Sequence, residues 1–272
     1  MTNNVISIFG ANNQLVSSEA DPTRIINPFN QDEAHSQVST RYHQVNTSEV
    51  TNILTGNGWE IKRTASARVR SADRQGYQKH YAWLAPKGIN NQLEVGDTEM
   101  RLMITNSHDG TSAVRLEAGL HRLVCSNGLV IGIGDFEYIS IRHTSENIEE
   151  LVIDGALKIA AMAPQIDEMI KKMRNITLTA HQQAEFAASV TKAVWPNKEL
   201  GLVDQSGLLI SRRESDKDDS LWTTYNKVQE SVVRGGISVG ARRTRSITSP
   251  VRDVEVNKMI FAIAVDAMKK AA

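Results

Sequence analysis

The chain carries two arginine-rich stretches whose residue types suit contact with a phosphate backbone. In the first, Lys62, Arg63, Arg68, Arg70, Arg74 and Lys79 share one expected hairpin with Trp59, Tyr77, Tyr81 and Trp83, diluted by Glu60 and Asp73. The second runs from Ser231 to Arg252. It holds Arg234, Arg242, Arg243, Arg245 and Arg252 with no acidic residue between Ser231 and Arg252, in a segment rich in Gly, Ser and Thr. Guanidinium groups grip phosphates with a planar fork of donors, and aromatic faces accept unstacked bases whatever their identity. The chemistry suggested is binding of single-stranded nucleic acid. A solvated sheet face and an exposed loop, with the aromatic rings in the core, would look the same in sequence, so the pattern leaves both open.

A second set of candidates mixes His108, Asp109, His121 and His143, which could in principle form a metal or hydrolytic centre. Their spacing matches neither a helix-borne ligand pair nor a compact zinc motif. Asp109 precedes Gly110, where a tight turn selects aspartate for its bonds to nearby backbone. His121 and His143 read as hydrogen-bonded strand residues. Cys125, between Val124 and Ser126, reads as a small buried residue, since nothing beside it would activate a thiolate. The pair Gly132 and Gly134 lacks the third glycine of a dinucleotide fingerprint and leads into a strand where a helix is needed. No Walker-type loop is present. No catalytic residue, metal ion or cofactor is therefore expected.

The tract NSHDGTSAVRLEAGLHRLVCSNGL, from Asn106 to Leu129, is the most distinctive in the chain. Asp109-Gly110 and Asn127-Gly128 are hairpin signals because both place residues at positive φ. The tract resembles the signature of a phage and plasmid-like family catalogued as domain of unknown function 932. That signature places Asn-x-His/Tyr-Asp-Gly-Ser/Thr before an apolar run and Arg-Leu-Val-Cys-Ser-Asn-Gly. Here it reads Asn106, His108, Asp109, Gly110 and Thr111, then Arg122 through Cys125 and Asn127 to Gly128. Further pieces follow in order: Arg41-Tyr42 to Asn46-Thr47, Lys79-His80, and Lys227 to Glu230 through Arg234 to Gly236. The likeness spans Ser36 to Met268 and implies a gene of mobile elements, with no activity attached. Asn106, Asp109, Gly110, Arg122, Asn127 and Gly128 are expected to shape the sheet corners rather than perform chemistry.

The elements that must position these residues divide in two. Residues 1–35 are polar, contain Pro22 and Pro28, and read as a partly ordered tail. A short helix over Ser48–Leu54, capped by Thr47 or Ser48, precedes strands at Trp59–Ser71, Gln78–Ala85, Glu99–Thr105, within the central tract, and at Phe136–His143. Hairpin connections make the sheet antiparallel. From Ser145 the chain turns helical. A heptad seam of Ile148, Val152, Gly155, Ile159, Met162, Ile166, Met169 and Met173 is kinked or split by Pro164. Helices at Thr179–Trp195, Ser220–Val233 and Asp253–Lys270 follow, the last apolar almost all round. Strands first and helices later make an α+β fold: an antiparallel β-meander in the N-terminal half backed by long helices of the C-terminal half, as one domain over 36–272.

Composition sets the remaining bounds. The net charge is zero, so any attraction to nucleic acid must come from local clusters. One cysteine excludes an internal disulfide and fits a reducing compartment, and no apolar run reaches membrane-spanning length, so a cytoplasmic protein is expected. The seam, the apolar last helix and the apolar patches of the tail exceed what one small sheet covers, which suggests a homo-oligomer. Three functions compete. The first is a single-stranded nucleic-acid binding or annealing protein, whose layout is similar, as architecture only, to the β-β-β-α core of phage annealing proteins. The second is a non-enzymatic protein that blocks a host defence or restriction system. The third is a His/Asp hydrolase or nuclease. The first is preferred.

Overall fold

A computed structural model describes residues 28–87, 98–122, 128–130, 139–143, 147–213 and 216–271. Cys125 and Asn127 lie outside the described residues, as do the tail up to residue 27 and residues 136–138 of the expected strand at 136–143.

The N-terminal half is an antiparallel sheet. Strands β1 (Trp59–Ser66), β2 (His80–Pro86), β3 (Thr98–Asn106), β4 (Val114–Arg122) and β5 (Gly128–Val130) pair in chain order, and β6 (Ile139–Ile141) also pairs with β4. The register follows from the period of two: Ala82, Leu84, Leu102, Ile104, Leu116 and Ala118 fall on one face and are all buried. Helix α1 (Thr47–Gly56) and helix α2 (Ile148–Ala161) contribute to the same core. The closest fit is at Gly155 of α2, where a Cβ would sit 2.5 Å from Leu116 Cδ1. The α1 cap is Asn46, whose side chain accepts from the Ser48 N–H, rather than Thr47 or Ser48. Thr47 is spoken for elsewhere.

Strand β1 stops at Ser66 instead of running to Ser71, after a bulge between Ile61 and Arg63. Arg68 and Arg70 therefore lie beyond the ladder. The expected helix at 145–174 splits into α2 and α3 (Ala163–Asn175), with Pro164 in the first turn of α3, where its missing N–H costs nothing. The seam faces the chain's own core, with Val152, Ile159, Ile166 and Met173 all buried there.

Helices α4 (Ala180–Val194), α5 (Gln205–Leu208), α6 (Leu221–Arg234) and α7 (Pro250–Ala271) complete the helical half, with a two-residue hairpin of β7 (Ser238–Val239) and β8 (Arg242–Arg243) between the last two. The expectation that the last helix is apolar all round is corrected, since Glu255, Ala262 and Asp266 are exposed. The fully enclosed helix is α6, in which every residue from Leu221 to Val232 is buried, polar ones included. Several of its polar groups find partners. Asn226 donates to the Trp222 carbonyl, Lys227 to the Asp218 carbonyl and Gln229 to Asn257 Oδ1.

Helix α7 crosses the other face of the sheet. Val251 and Val254 pack on a small second cluster of Tyr81, Trp83 and Met103, and Lys258 pairs with the buried Glu117 of β4. Further along, Val256, Ile260, Phe261 and Ala264 join the main core.

Candidate functional site

At the end of the sheet where β2 begins and β3 ends, four histidines from distant parts of the sequence converge. His80 and His108 lie with ring centroids 5.0 Å apart, and Tyr42 stacks on His143 at 4.3 Å. His35 stands edge-on to Tyr77 at 5.2 Å. All four histidines are buried.

The bonding assigns each ring a role. Asn106 Nδ2 donates to Thr47 Oγ1 (2.8 Å) and to the Val45 carbonyl (3.0 Å). The Thr47 hydroxyl is left to donate to His80 Nε2 at 2.6 Å, while His80 Nδ1 donates to the Gln78 carbonyl at 2.9 Å. That chain requires a neutral His80 with its proton on Nδ1. His108 is neutral in the opposite tautomer. Gln44 Nε2 donates to Nδ1, and Nε2 donates to the Pro28 carbonyl, both at 2.7 Å. Burial holds His80 down to about 4 and lowers His108 and His143 as well. His143 sits between the carbonyls of His43 and Ser112, each 3.2 Å from a ring nitrogen. Burial also pushes the Tyr42 hydroxyl up, and that hydroxyl donates to the Ser107 carbonyl.

Asp109 closes the turn as its type predicts. Burial alone would raise its carboxyl, but donors from Thr111 and Ser107 and the charge of Arg74 outweigh this and hold it low. Gly110 has φ of 76°. The backbone of His108 adds two more ties, accepting from the His35 N–H and donating to the Tyr77 carbonyl. So Asn106 and His108 do more than shape a corner: they fasten residues 28–47 to the sheet. The tail boundary moves accordingly, because Pro28 and His35 are docked parts of this hub. Among the described residues no group of three His, Cys, Asp or Glu side chains is arranged to hold a metal ion. His121 pairs through its backbone with Glu99 and Gly128, at the far end of β4. The four-residue centre weighed in the sequence does not assemble.

The basic candidates separate on inspection. Trp83 is 3% exposed, and the Arg63 guanidinium lies 4.7 Å from its ring centroid, so neither presents a face to a base as the chain stands. Arg74 is drawn into the hub, 3.9 Å from Asp109 and bonded to Gln37. The ring of half-buried Tyr77 packs on His35. Lys62 pairs with Glu60, and half-buried Lys79 accepts the Ala67 N–H on its carbonyl. Arg68 and Arg70 remain exposed beyond β1.

The second cluster is better presented. Arg242, Arg243 and Arg245 are exposed on the β7–β8 hairpin, and none joins an ion pair among the described residues. The hairpin is pinned to the end of α6. Gly236 N–H donates to the Thr244 carbonyl, Thr244 N–H to the Ile237 carbonyl, and Ile237 N–H to Thr244 Oγ1. Gly235, at φ 75° and ψ −162°, packs so closely that a Cβ would meet the Arg245 carbonyl carbon at 2.5 Å. Beneath, the buried Glu230 carboxylate takes Arg213 through two bonds (3.1 and 2.8 Å) and Arg234 Nε at 3.0 Å. Arg212 reaches the Gly235 carbonyl.

A family model described as Domain of unknown function (DUF932) matches residues 34–261. The chain belongs to that family. It is similar to UPF0380 protein YafZ of Escherichia coli (strain K12), 31% identical over 247 residues covering 89% of this chain and 88% of the relative. It is also similar to UPF0380 protein YfjQ of the same strain, 29% identical over the same shares. No solved structure matches it. For this DUF932 chain, the central motif is the hub that ties the N-terminal segment to the sheet. Sequence reasoning missed Gln44, Thr47 and His35 in the hub and Arg212 and Arg213 beside the hairpin. None of these stands near its partners in sequence. Among the described residues, no helix is long and apolar enough to cross a membrane.

Proposed function

We propose that the chain binds single-stranded nucleic acid, without reading its sequence, on the arginine-rich hairpin at the end of α6. One observation carries the reading: Arg242, Arg243 and Arg245 are exposed and unpaired among the described residues, on a backbone pinned to a buried helix. Guanidinium groups held on a rigid frame lose less freedom for each phosphate they contact. The acidic residue below them, Glu230, is already neutralised by Arg213 and Arg234, although Asp204 lies near Arg243. Arg245 lies five residues before Pro250, so at most about 18 Å of chain separates the hairpin from the helix crossing the sheet. Arg68 and Arg70 give a strand a second place to run. No recognition helix or zinc-finger pattern favours duplex DNA. The reading is non-enzymatic and places the protein in the cytoplasm of a host cell, among mobile-element proteins that handle exposed single strands.

The test is fluorescence anisotropy with labelled oligo-dT and a matched duplex across a salt series. Replacing Arg242, Arg243 and Arg245 together by Ala is expected to weaken oligo-dT binding and lower the salt slope by about 2, at roughly 0.7 per lost phosphate contact. An unchanged slope and affinity would reduce the hairpin to solvated surface.

A further inference from the structure

The face of the sheet beneath α7 has an unusual composition for a helix-packing surface. By register Tyr81, Trp83, Met103 and Thr105 share it with Arg63, Arg101, Arg115 and Glu117. Tyr81 and Trp83 are stacked, with centroids 5.9 Å apart and planes at 25°, and Arg63 lies over the Trp83 ring. Stacked aromatic rings interleaved with guanidinium groups on a β-sheet are what single strands use: rings for bases, arginines for phosphates.

What α7 sets against this face is equally specific. Its apolar contribution is Val251 and Val254, which join a cluster of only four buried residues. Its other contributions are charged: Lys258, which pairs with Glu117, and the carboxylate of Asp253. Asp253 acts on the Arg63 guanidinium, so one anion stands against the arginine-aromatic face, while exposed Glu255 pairs with Arg252. The fit is imperfect. Trp83 Nε1 is buried without a hydrogen-bond partner, and burial raises the Asp253 carboxyl to about 6 despite Arg63 and Asn257. The helix is anchored elsewhere, by Val256, Ile260, Phe261 and Ala264 in the main core. Its first turns are held by the Asp253 N–H on the Ser249 carbonyl (2.9 Å), a long bond from the Arg252 N–H to Ser249 Oγ (3.4 Å), the Arg252 guanidinium on the Val194 carbonyl (3.1 Å) and Asn257 reaching back to Asp253. Those turns can lift while the remainder stays seated, since helix ends are the low-stability part of a helix.

We propose that the sheet face of Arg63, Tyr81, Trp83, Arg101 and Arg115 is a second single-strand binding surface, occupied by the chain's own α7 with Asp253 standing in for a phosphate. It rests on the single-strand reading of the chain and is independent of the hairpin.

The experiment pairs a charge-neutral variant with a measurement on the parent. Val251→Ser with Val254→Ser loosens the first turns without altering any charge. It is expected to bind oligo-dT about tenfold more tightly, with a salt slope steeper by about 2 as the three arginines become available. In the parent, hydrogen exchange is expected to show residues 250–255 losing protection, and residues 63–65 gaining it, when oligo-dT is bound. A variant that binds no better than the parent overturns the proposal. So does a parent that binds oligo-dT while residues 250–255 keep their protection, and this holds even if the variant fails to fold. A parent that does not bind beside a variant that does would sink the hairpin reading and leave this one standing. Failure of both to bind would remove both.

Discussion

Acidification should weaken the fold through the histidine hub, and His80 allows the size to be worked out. Its ordinary value is 6.5 and its folded value about 4. Between those limits the unfolded chain carries a proton that the folded chain does not, so stability is full above pH 6.5 and falls as pH drops towards 4. At pH 4.5 the loss attributable to His80 comes to about 2.5 kcal/mol. His108 and His143 are displaced in the same direction and add to the same loss. Asp253 has the opposite sign: its folded value is raised to about 6, so its contribution favours the fold at acid pH and is lost as pH rises through 6. The two are separated by difference. Urea unfolding of the parent and of His80→Gln, from pH 4.5 to 7.5, leaves Asp253 common to both chains. The penalty of the substitution is expected to be largest at pH 7.5 and smaller by about 2.5 kcal/mol at pH 4.5. A penalty that stayed constant across that range would refute the neutral, buried assignment of His80.

Four further outcomes are expected. Asn106→Ala should cost about 2–3 kcal/mol in urea unfolding, because the Val45 carbonyl and Thr47 lose a buried donor. Gly110→Val should lower stability by about 1–2 kcal/mol through backbone strain alone, since the nearest atom to a new Cβ is Val38 Cγ1 at an ordinary 3.5 Å; an unchanged Tm would contradict this. Gly235→Ala combines a glycine-only conformation with a backbone collision, and should cost about 3 kcal/mol and flatten the salt dependence of oligo-dT binding together. Glu230→Gln leaves Arg213 and Arg234 facing a neutral group at a buried site and should destabilise by about 3–5 kcal/mol, measured by chemical denaturation.

Local periodicity carried much of the fold. The seam from Ile148 to Met173 repeats at helical spacing and is buried as that spacing requires, and Pro164 marks the break because its ring forbids a continuous ladder. Alternation along β2 likewise puts Tyr81 and Trp83 on one side of the sheet. It could not say what covers that side, because the cover arrives from Val251 and Val254 far along the chain. The hub was illegible for the same reason. His35, His80, His108 and His143 have no spacing relation to one another, and their meeting depends on the path of residues 28–47. Arg212 and Arg213 fall outside the arginine-rich window and join it only through the Gly235 carbonyl and Glu230. On α6 the sequence offers no sign that polar residues are buried, because their partners, Asp218, Asn257 and Arg213, lie outside the helix.

The hub also dictates a timetable for the nascent chain. The β1–β2–β3–β4 strands pair with neighbours in sequence and can form as they emerge. Residues 28–47 cannot settle so early. The Pro28 carbonyl awaits His108, a separation of 80 residues, and Tyr42 awaits His143, a separation of 101. At ribosomal speeds of roughly 5–20 residues per second, the Tyr42 ring lacks its stacking partner for about 5–20 s after its synthesis. Throughout that interval the N-terminal segment is open to proteases and to foreign strands. Its docking waits on strands made after it, although it precedes them in the chain.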